Sequence, residues 1–357
     1  MANEKEIFGL PQILIEFKTR GVTAIKRSAR GIVALILKQG NDAKSYTIKS
    51  IDKIPNDAFN ANNLDYVKQV LLGTPLRVLV EVVPEAAPNI NTALLRLKGL
   101  KWNYICYPGA DAKETTDLVS WVKAQRTIER KTYKAVVAHN SADHEGVINF
   151  TTEEIKVGEK TYSATEYTPR IAGILAGLAL DRSATYFKLT EVESIKTHET
   201  PDEDINKGQL VLINDGDYVK IGRAANSLVT FTTDKGEDFR KIKIVEAVDM
   251  ITDDIRDTFN EYYVGKIIND YDHKMLFIAA INVYLSELEG NVLDRKWDNA
   301  ADINEVEQRN YAKLKGEDVD AMDVMAIRTY NTGSKVFLEG SIKPVDAMED
   351  LSMTFYM

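Results

Sequence analysis

The chain has 357 residues, of which 44% are hydrophobic and 28% charged, which is enough apolar content for a packed core and fits a few domains better than one. A formal net charge of −9 without a clustered basic surface argues against a general nucleic-acid binder, because neutralising phosphate needs grouped Lys and Arg. Cys106 is the single cysteine, so an intramolecular disulfide and a cysteine-rich metal site are excluded.

The segment Met1-Ala2-Asn3-Glu4-Lys5-Glu6 has no basic stretch leading into an apolar core, so no secretory signal is expected. The longest apolar run, near Ile171 to Leu180, is well short of the ~20 residues of a membrane-spanning helix, and no membrane insertion is expected. Ile13, Ile15 and Phe17 alternate with polar Glu16 and Lys18, the period of a half-buried strand. Short β-rich runs follow at Gly31 to Leu37, Tyr46 to Ile51 and Leu76 to Val83, separated by Gly40-Asn41-Asp42 and Pro55-Asn56-Asp57 turns. With a helix near Leu64 to Leu72, they read as a small β domain.

Past Pro84 and Pro88 strands and helices alternate through Asn89 to Leu97, Tyr104 to Tyr107, Thr115 to Thr127 and Ala135 to Ala138, which predicts a parallel-sheet α/β domain. Ile148 to Val157 continues it. Thr168-Pro169-Arg170-Ile171-Ala172-Gly173 is read as opening a helix with proline near its first turn. Gly173, Ala176 and Gly177 give that helix a narrow face for close packing. Leu210 to Ile213 and Tyr218 to Ile221 flank Asn214-Asp215-Gly216-Asp217, a hairpin signal, because Asp-Gly tolerates the positive φ of tight turns.

A helix capped by Thr252, with Asp253 and Asp254 at its positive end, is expected to carry Ile255, Phe259, Tyr262 and Ile267 at helical spacing. Ile278, Ile281, Leu285 and Leu288 form another stripe, stopped by Gly290. Val336, Leu338, Gly340 and Ile342 alternate with polar neighbours up to Pro344. Leu351, Met353, Phe355 and Met357 alternate with Ser352, Thr354 and Tyr356, so a last strand is expected there.

Reactive groups are not assembled in any recognisable motif. His139, His144, His198 and His273 are scattered, with no Gly-x-Ser-x-Gly elbow, no phosphate loop and no His-Glu-x-x-His helix. Asn214 to Asp217 and Asp294 to Asp302 lack the spaced oxygen ligands of a calcium loop and read as turn residues. Cys106, in Tyr104-Ile105-Cys106-Tyr107, reads as a small core residue. No cofactor, metal or catalytic residue is expected. Isolated strands near both ends either pair within their own subunit or are donated to a neighbour, whose main chain then supplies the hydrogen bonds; a contact between unlike surfaces would propagate as a ring or helix.

The residues resemble the tail sheath proteins of contractile phages and related particles. The resemblance is carried by Thr168 to Gly177, by Gly222-Arg223-Ala224-Ala225-Asn226-Ser227-Leu228-Val229-Thr230 leading to Tyr263-Val264-Gly265-Lys266, and most specifically by Ile342-Lys343-Pro344-Val345-Asp346-Ala347-Met348-Glu349. The lean length looks most like the short sheaths of R-type, diffocin-like bacteriocins and defective prophage tails of Gram-positive bacteria.

The resemblance implies an α+β and α/β multidomain fold: an N-terminal arm (1–20), a β-sandwich (21–88), a noncatalytic subtilisin-like α/β domain (89–215), a C-terminal domain (216–343) and a C-terminal strand arm (344–357). It implies arms at Ile13, Ile15 and Phe17 and at Leu351, Met353 and Phe355 reaching into adjacent subunits, with Pro169, Arg170, Gly173, Gly177, Pro344 and Asp346 as structural motif residues. Six-fold rings would stack around a tail tube and shorten when the baseplate triggers them. Partners would be further copies, the tube, baseplate and tail terminator, with no nucleic acid, in a virion or tail-like particle assembled in the host cytoplasm and released by lysis. The tube contact would fall on Asp253 to Lys266 or Asn304 to Lys315. Rival readings are a noncontractile structural polymer and a subtilisin-like hydrolase.

Overall fold

A computed structural model describes residues 24–357. In chain order it contains β1 (Ile32–Lys38), β2 (Lys44–Ile48), α1 (Ala61–Leu72), β3 (Arg77–Val83), α2 (Asn91–Lys98), β4 (Tyr104–Cys106), α3 (Ala112–Thr127) and β5 (Lys134–Ala138). There follow β6 (Val147–Phe150), β7 (Ile155–Val157), β8 (Lys160–Tyr162), α4 (Ala164–Gly177), α5 (Pro201–Asn206), β9 (Gln209–Leu210), β10 (Leu212–Asn214) and β11 (Val219–Ile221). The last part holds α6 (Ile242–Thr258), α7 (Tyr271–Leu288), β12 (Ala300–Ile303), α8 (Glu305–Leu314), α9 (Val324–Thr329) and β13 (Leu338–Ser341).

A seven-stranded sheet in the order β2-β3-β1-β4-β5-β6-β9 dominates the first two thirds. All its pairings are parallel except β2 on β3. The separate β-sandwich expected over 21–88 is therefore not what those residues form. β1 pairs with β3 on one side and β4 on the other, so a boundary at 88 would cut the sheet through its middle. The physical reason lies in β1 itself. Ile32 to Leu37 are all buried, with Val33, Leu35 and Leu37 in one core and Ile32, Ala34 and Ile36 in the other. A strand apolar on both faces needs cover on both, which only an interior position in a layered sheet supplies. The first core lies under α1 and α4, the second under α2 and α3.

α4 begins earlier than its proline implied. Ser163 caps it in a reciprocal capping box with Glu166, and Pro169 lies inside the helix. Proline cannot donate to the carbonyl four residues back; the Thr168 hydroxyl donates to that Thr165 oxygen instead, at 2.8 Å. Its narrow face does pack closely: a Cβ on Gly173 would collide with the Val70 carbonyl, and one on Gly177 with that of Gly73. The β10–β11 hairpin forms as expected, antiparallel with Gly216 at φ 97°, and it straddles the boundary drawn at 215.

Thr252 does not cap a helix. α6 starts at Ile242, and the Thr252 hydroxyl bonds the Val248 carbonyl from mid-helix. Lys243 to Met250 also continue the apolar face, so the cap moves eleven residues upstream, from Thr252 to Lys241. A single π-helical turn, Phe259–Tyr263, ends it. Ile278, Ile281, Leu285 and Leu288 on α7 are buried as expected, and Ile281, Leu285 and Leu288 with Ala247, Met250 and Ile251 of α6 build a third core, which Leu338 and Ile342 partly cover. Ile13, Ile15 and Phe17 lie outside the described residues.

Candidate assembly interface

The histidines do not converge. His139 Nε2 lies 2.6 Å from Glu153 and His273 Nδ1 2.7 Å from Asp270, while half-buried His144 accepts from the Gly146 N–H. Burial, chiefly, and then Arg126, Lys235 and Lys123 push His144 down to about 4, against the pull of Glu145. His198 does stand in a relay that sequence reading missed: Nδ1 is 2.8 Å from Asp204 and Nε2 3.0 Å from Thr152 Oγ1. Thr152, however, is 0% exposed, and its oxygen accepts the Leu212 N–H at 2.8 Å. The buried Thr152 hydroxyl ties loops together, whereas a nucleophile has to meet substrate. Cys106 is buried, and burial pushes its thiol up. The acidic turns are engaged locally, Asp215 by the Asp217 and Tyr218 amides and Asp302 by Arg328.

The C-terminal segment is of a different kind. Pro344 bridges to Leu293, and the Val345 N–H donates to the Val292 carbonyl at 2.8 Å. Lys243 donates to the Val345 carbonyl at 2.5 Å, and Lys241 pairs with Asp346. Ser183 and Thr185 then donate to Glu349 at 2.8 and 2.6 Å, and Arg223 holds Asp350 at 2.6 Å. The root of the arm is thus strapped across the molecule by Ser183, Thr185, Arg223 and Lys241. Sequence reading missed these four, since only the fold brings residues about 100–170 positions apart together.

Beyond Asp350 the strap ends. Leu351, Met353 and Phe355 are 86%, 64% and 79% exposed, and residues 351–357 form no strand within the subunit. Scattered apolar surface is ordinary, but an exposed run with apolar residues at every second position has the pattern of a strand seeking a sheet.

A sheet edge of matching kind lies on the same molecule. β12 and β13 form an antiparallel pair in which Ala301 faces Gly340 and Ile303 faces Leu338. In such a ladder, opposite residues either exchange both bonds or both point away. Ala301 turns away: its N–H goes to Asn282 Oδ1 at 2.7 Å and its carbonyl takes Asn282 Nδ2 at 3.1 Å. Gly340 opposite therefore points its own N–H and C=O outward. The Ile303 N–H likewise turns back to Asp302 Oδ1, so Leu338 points outward too. One side-chain amide closes the β12 edge. The described residues supply no third strand to β13, and Glu339, Gly340 and Ser341 are exposed. A bare edge of this kind is a template for another chain.

Comparison with known proteins gives a consistent result. Residues 85–227 match the family model for the phage tail sheath protein central domain, and residues 234–357 that for the phage tail sheath C-terminal domain. The chain is 37% identical over 361 residues to the tail sheath protein of Clostridium phage phiCD119, covering 98% of this chain and 99% of that one. Among solved structures, a sheath tail protein from Listeria innocua superposes with a TM-score of 0.68 at 18% identity, covering 91% of this chain and 94% of that one. A chain of the anti-feeding prophage baseplate, solved with six-fold symmetrisation, superposes with a TM-score of 0.66 at 12% identity, covering 98% of this chain and 99% of that one.

Proposed function

Because the chain belongs to the phage tail sheath family and is a structural component of a phage tail or tail-like particle, we propose that it is the repeating subunit of a contractile sheath, joined to its neighbours by exchanged strands. The observation that carries the reading is that the described residues hold both an exposed apolar arm, Leu351 to Phe355, and an open strand edge at β13. The arm and the edge are different surfaces, so each subunit both gives and receives. A heterologous contact of this kind does not saturate in a dimer and propagates into rings or helices.

In this reading the arm adds beside β13. Main-chain bonds to Leu338 and Gly340 give strength, and alternate side chains fix the register. Ile13, Ile15 and Phe17 form a second link to another copy. Stacked six-fold rings surround a tube, contact a baseplate and a terminator, and shorten as packed surfaces between bodies exchange one arrangement for another, the strand links staying paired. The relative in the anti-feeding prophage baseplate supports the baseplate contact. The contractile reading is tested by electron microscopy of purified particles: sheaths of two lengths, long and narrow or short and wide, are expected, and a single fixed length overturns it.

A further inference from the structure

A groove of about 470 Å³ opens beside the start of β13. Phe259, Tyr263, Ile267, Phe277 and Val336 line its apolar wall, and Lys274 also borders it. Three features set it apart from ordinary surface relief. It opens onto the third core, whose Phe259, Tyr263 and Leu338 are only partly covered. Lys274 is 4% exposed, yet its ammonium is held by neutral groups, Gln308 Oε1 at 3.0 Å and Thr332 Oγ1 at 3.2 Å. Burial, against the pull of Asp270, pushes that amine down. Asn269 Oδ1, also bordering the groove, is buried without a hydrogen-bond partner among the described residues.

We infer that this groove is the socket for Phe355 of a second copy, and that it sets the register in which the neighbour's arm seats on β13. The inference rests on the strand-exchange reading above and names the site that reading leaves open. The argument is one of continuity and charge. Val336 lines the groove two residues before Leu338, which opens β13 and packs on the third core, so the groove continues the strand's core side. An arm running antiparallel to β13 and spanning its four residues carries its C-terminal end to the Val336 side. Leu351, Met353 and Phe355 then share the inward face, Met353 falls opposite Gly340, which leaves it room, and Phe355 reaches the groove. An aromatic ring suits an apolar socket whose cation is hydrogen-bonded only to neutral groups, because the ring's negative face attracts ammonium where water is excluded. A one-residue slip would present Thr354 or Tyr356 inward and lose the fit.

The test uses the full chain and disulfide trapping, since native Cys106 is buried. Phe355→Cys is combined with Ile268→Cys at the exposed rim of the groove, and separately with Glu339→Cys on the strand edge. The expected result is a ladder of covalent multimers with the Ile268 pair, and only cross-linked dimers when the two cysteines are carried on different chains. Phe355→Ala should raise the concentration needed for polymerisation about tenfold, the loss usual for a buried aromatic anchor, while Ser352→Ala leaves it unchanged. A ladder with Glu339→Cys but none with Ile268→Cys overturns the socket and leaves strand exchange standing. No ladder with either pair overturns both, and cross-links confined to single chains show the groove taking its own subunit's arm, which also overturns the proposal.

Discussion

At Gly177 a single methyl decides a contact between two backbones. A Cβ there collides with the Gly73 carbonyl, which neither helix can move without shifting α1 over the main sheet. Gly177→Ala is expected to cost about 3 kcal/mol, the upper range for overpacking, measured by urea denaturation. His144 gives a pH signature. Its ordinary value of 6.5 falls to about 4 in the folded chain, so the unfolded state binds the proton more readily between those limits. The stability from keeping it neutral is fully present above about pH 6.5, falls as pH drops, and is gone below about 4. At full effect the difference is up to about 3 kcal/mol. The expected outcome is a fall in unfolding free energy from pH 7 to 4.5 that is flatter in His144→Gln; parallel profiles would assign the acid sensitivity to other groups.

At the scale of elements, β12 and β13 illustrate how one sheet is both closed and open. Asn282 supplies a donor and an acceptor where a strand would otherwise be needed, and Asn282→Ala leaves both Ala301 backbone groups to find water. A loss of about 1–3 kcal/mol is expected, together with aggregation through the second bared edge. The arm is the opposite case. Leu351 and Met353 touch little of their own subunit, so Leu351→Asp with Met353→Asp should leave the thermal midpoint unchanged and abolish polymerisation, read by sedimentation. A fall in the midpoint would show that the arm belongs to its own fold.

Across the molecule, α6 is joined to the main sheet by buried charge. Lys134 lies 2.8 Å from Glu246 and 2.7 Å from Asp249, and Arg126 grips Asp249 with two bonds of 3.0 and 3.1 Å. Arg30 spans Glu246 and Asp253 at 2.8 and 3.0 Å. Burial alone would raise Glu246, but Lys134 and Arg30 hold it well below the usual carboxylate range. Such a seam resists sliding, because displacement strands charges without water. Lys134→Met removes the cation and leaves the carboxylates buried; a loss of about 3–5 kcal/mol is expected, in contrast to Lys98→Met at an exposed pair, where about 0–1 kcal/mol is expected. On the contractile reading proposed above, a junction of this kind would pass force from one neighbour to the next.

Local periodicity determined much of this protein by itself. The strands at Ile32 and Arg77, the helix stripe from Ile278 to Leu288, the Asp-Gly hairpin and the alternation at Leu351 to Phe355 all follow from which side chains repeat at 2 or 3.6 residues, and the family resemblance at Pro344 to Glu349 is likewise written in neighbouring residues. Only the tertiary structure decided that Ile32 to Leu37 sits inside one seven-stranded sheet, with no separate sandwich, because burial on both faces depends on which layers arrive from elsewhere in the chain. It also decided that Asn282 closes one strand edge, that Ser183, Thr185, Arg223 and Lys241 strap down the arm, and that His198 and Asp204 meet at the buried hydroxyl of Thr152. These are contacts between residues distant in the chain, and no periodicity records which distant residues come together.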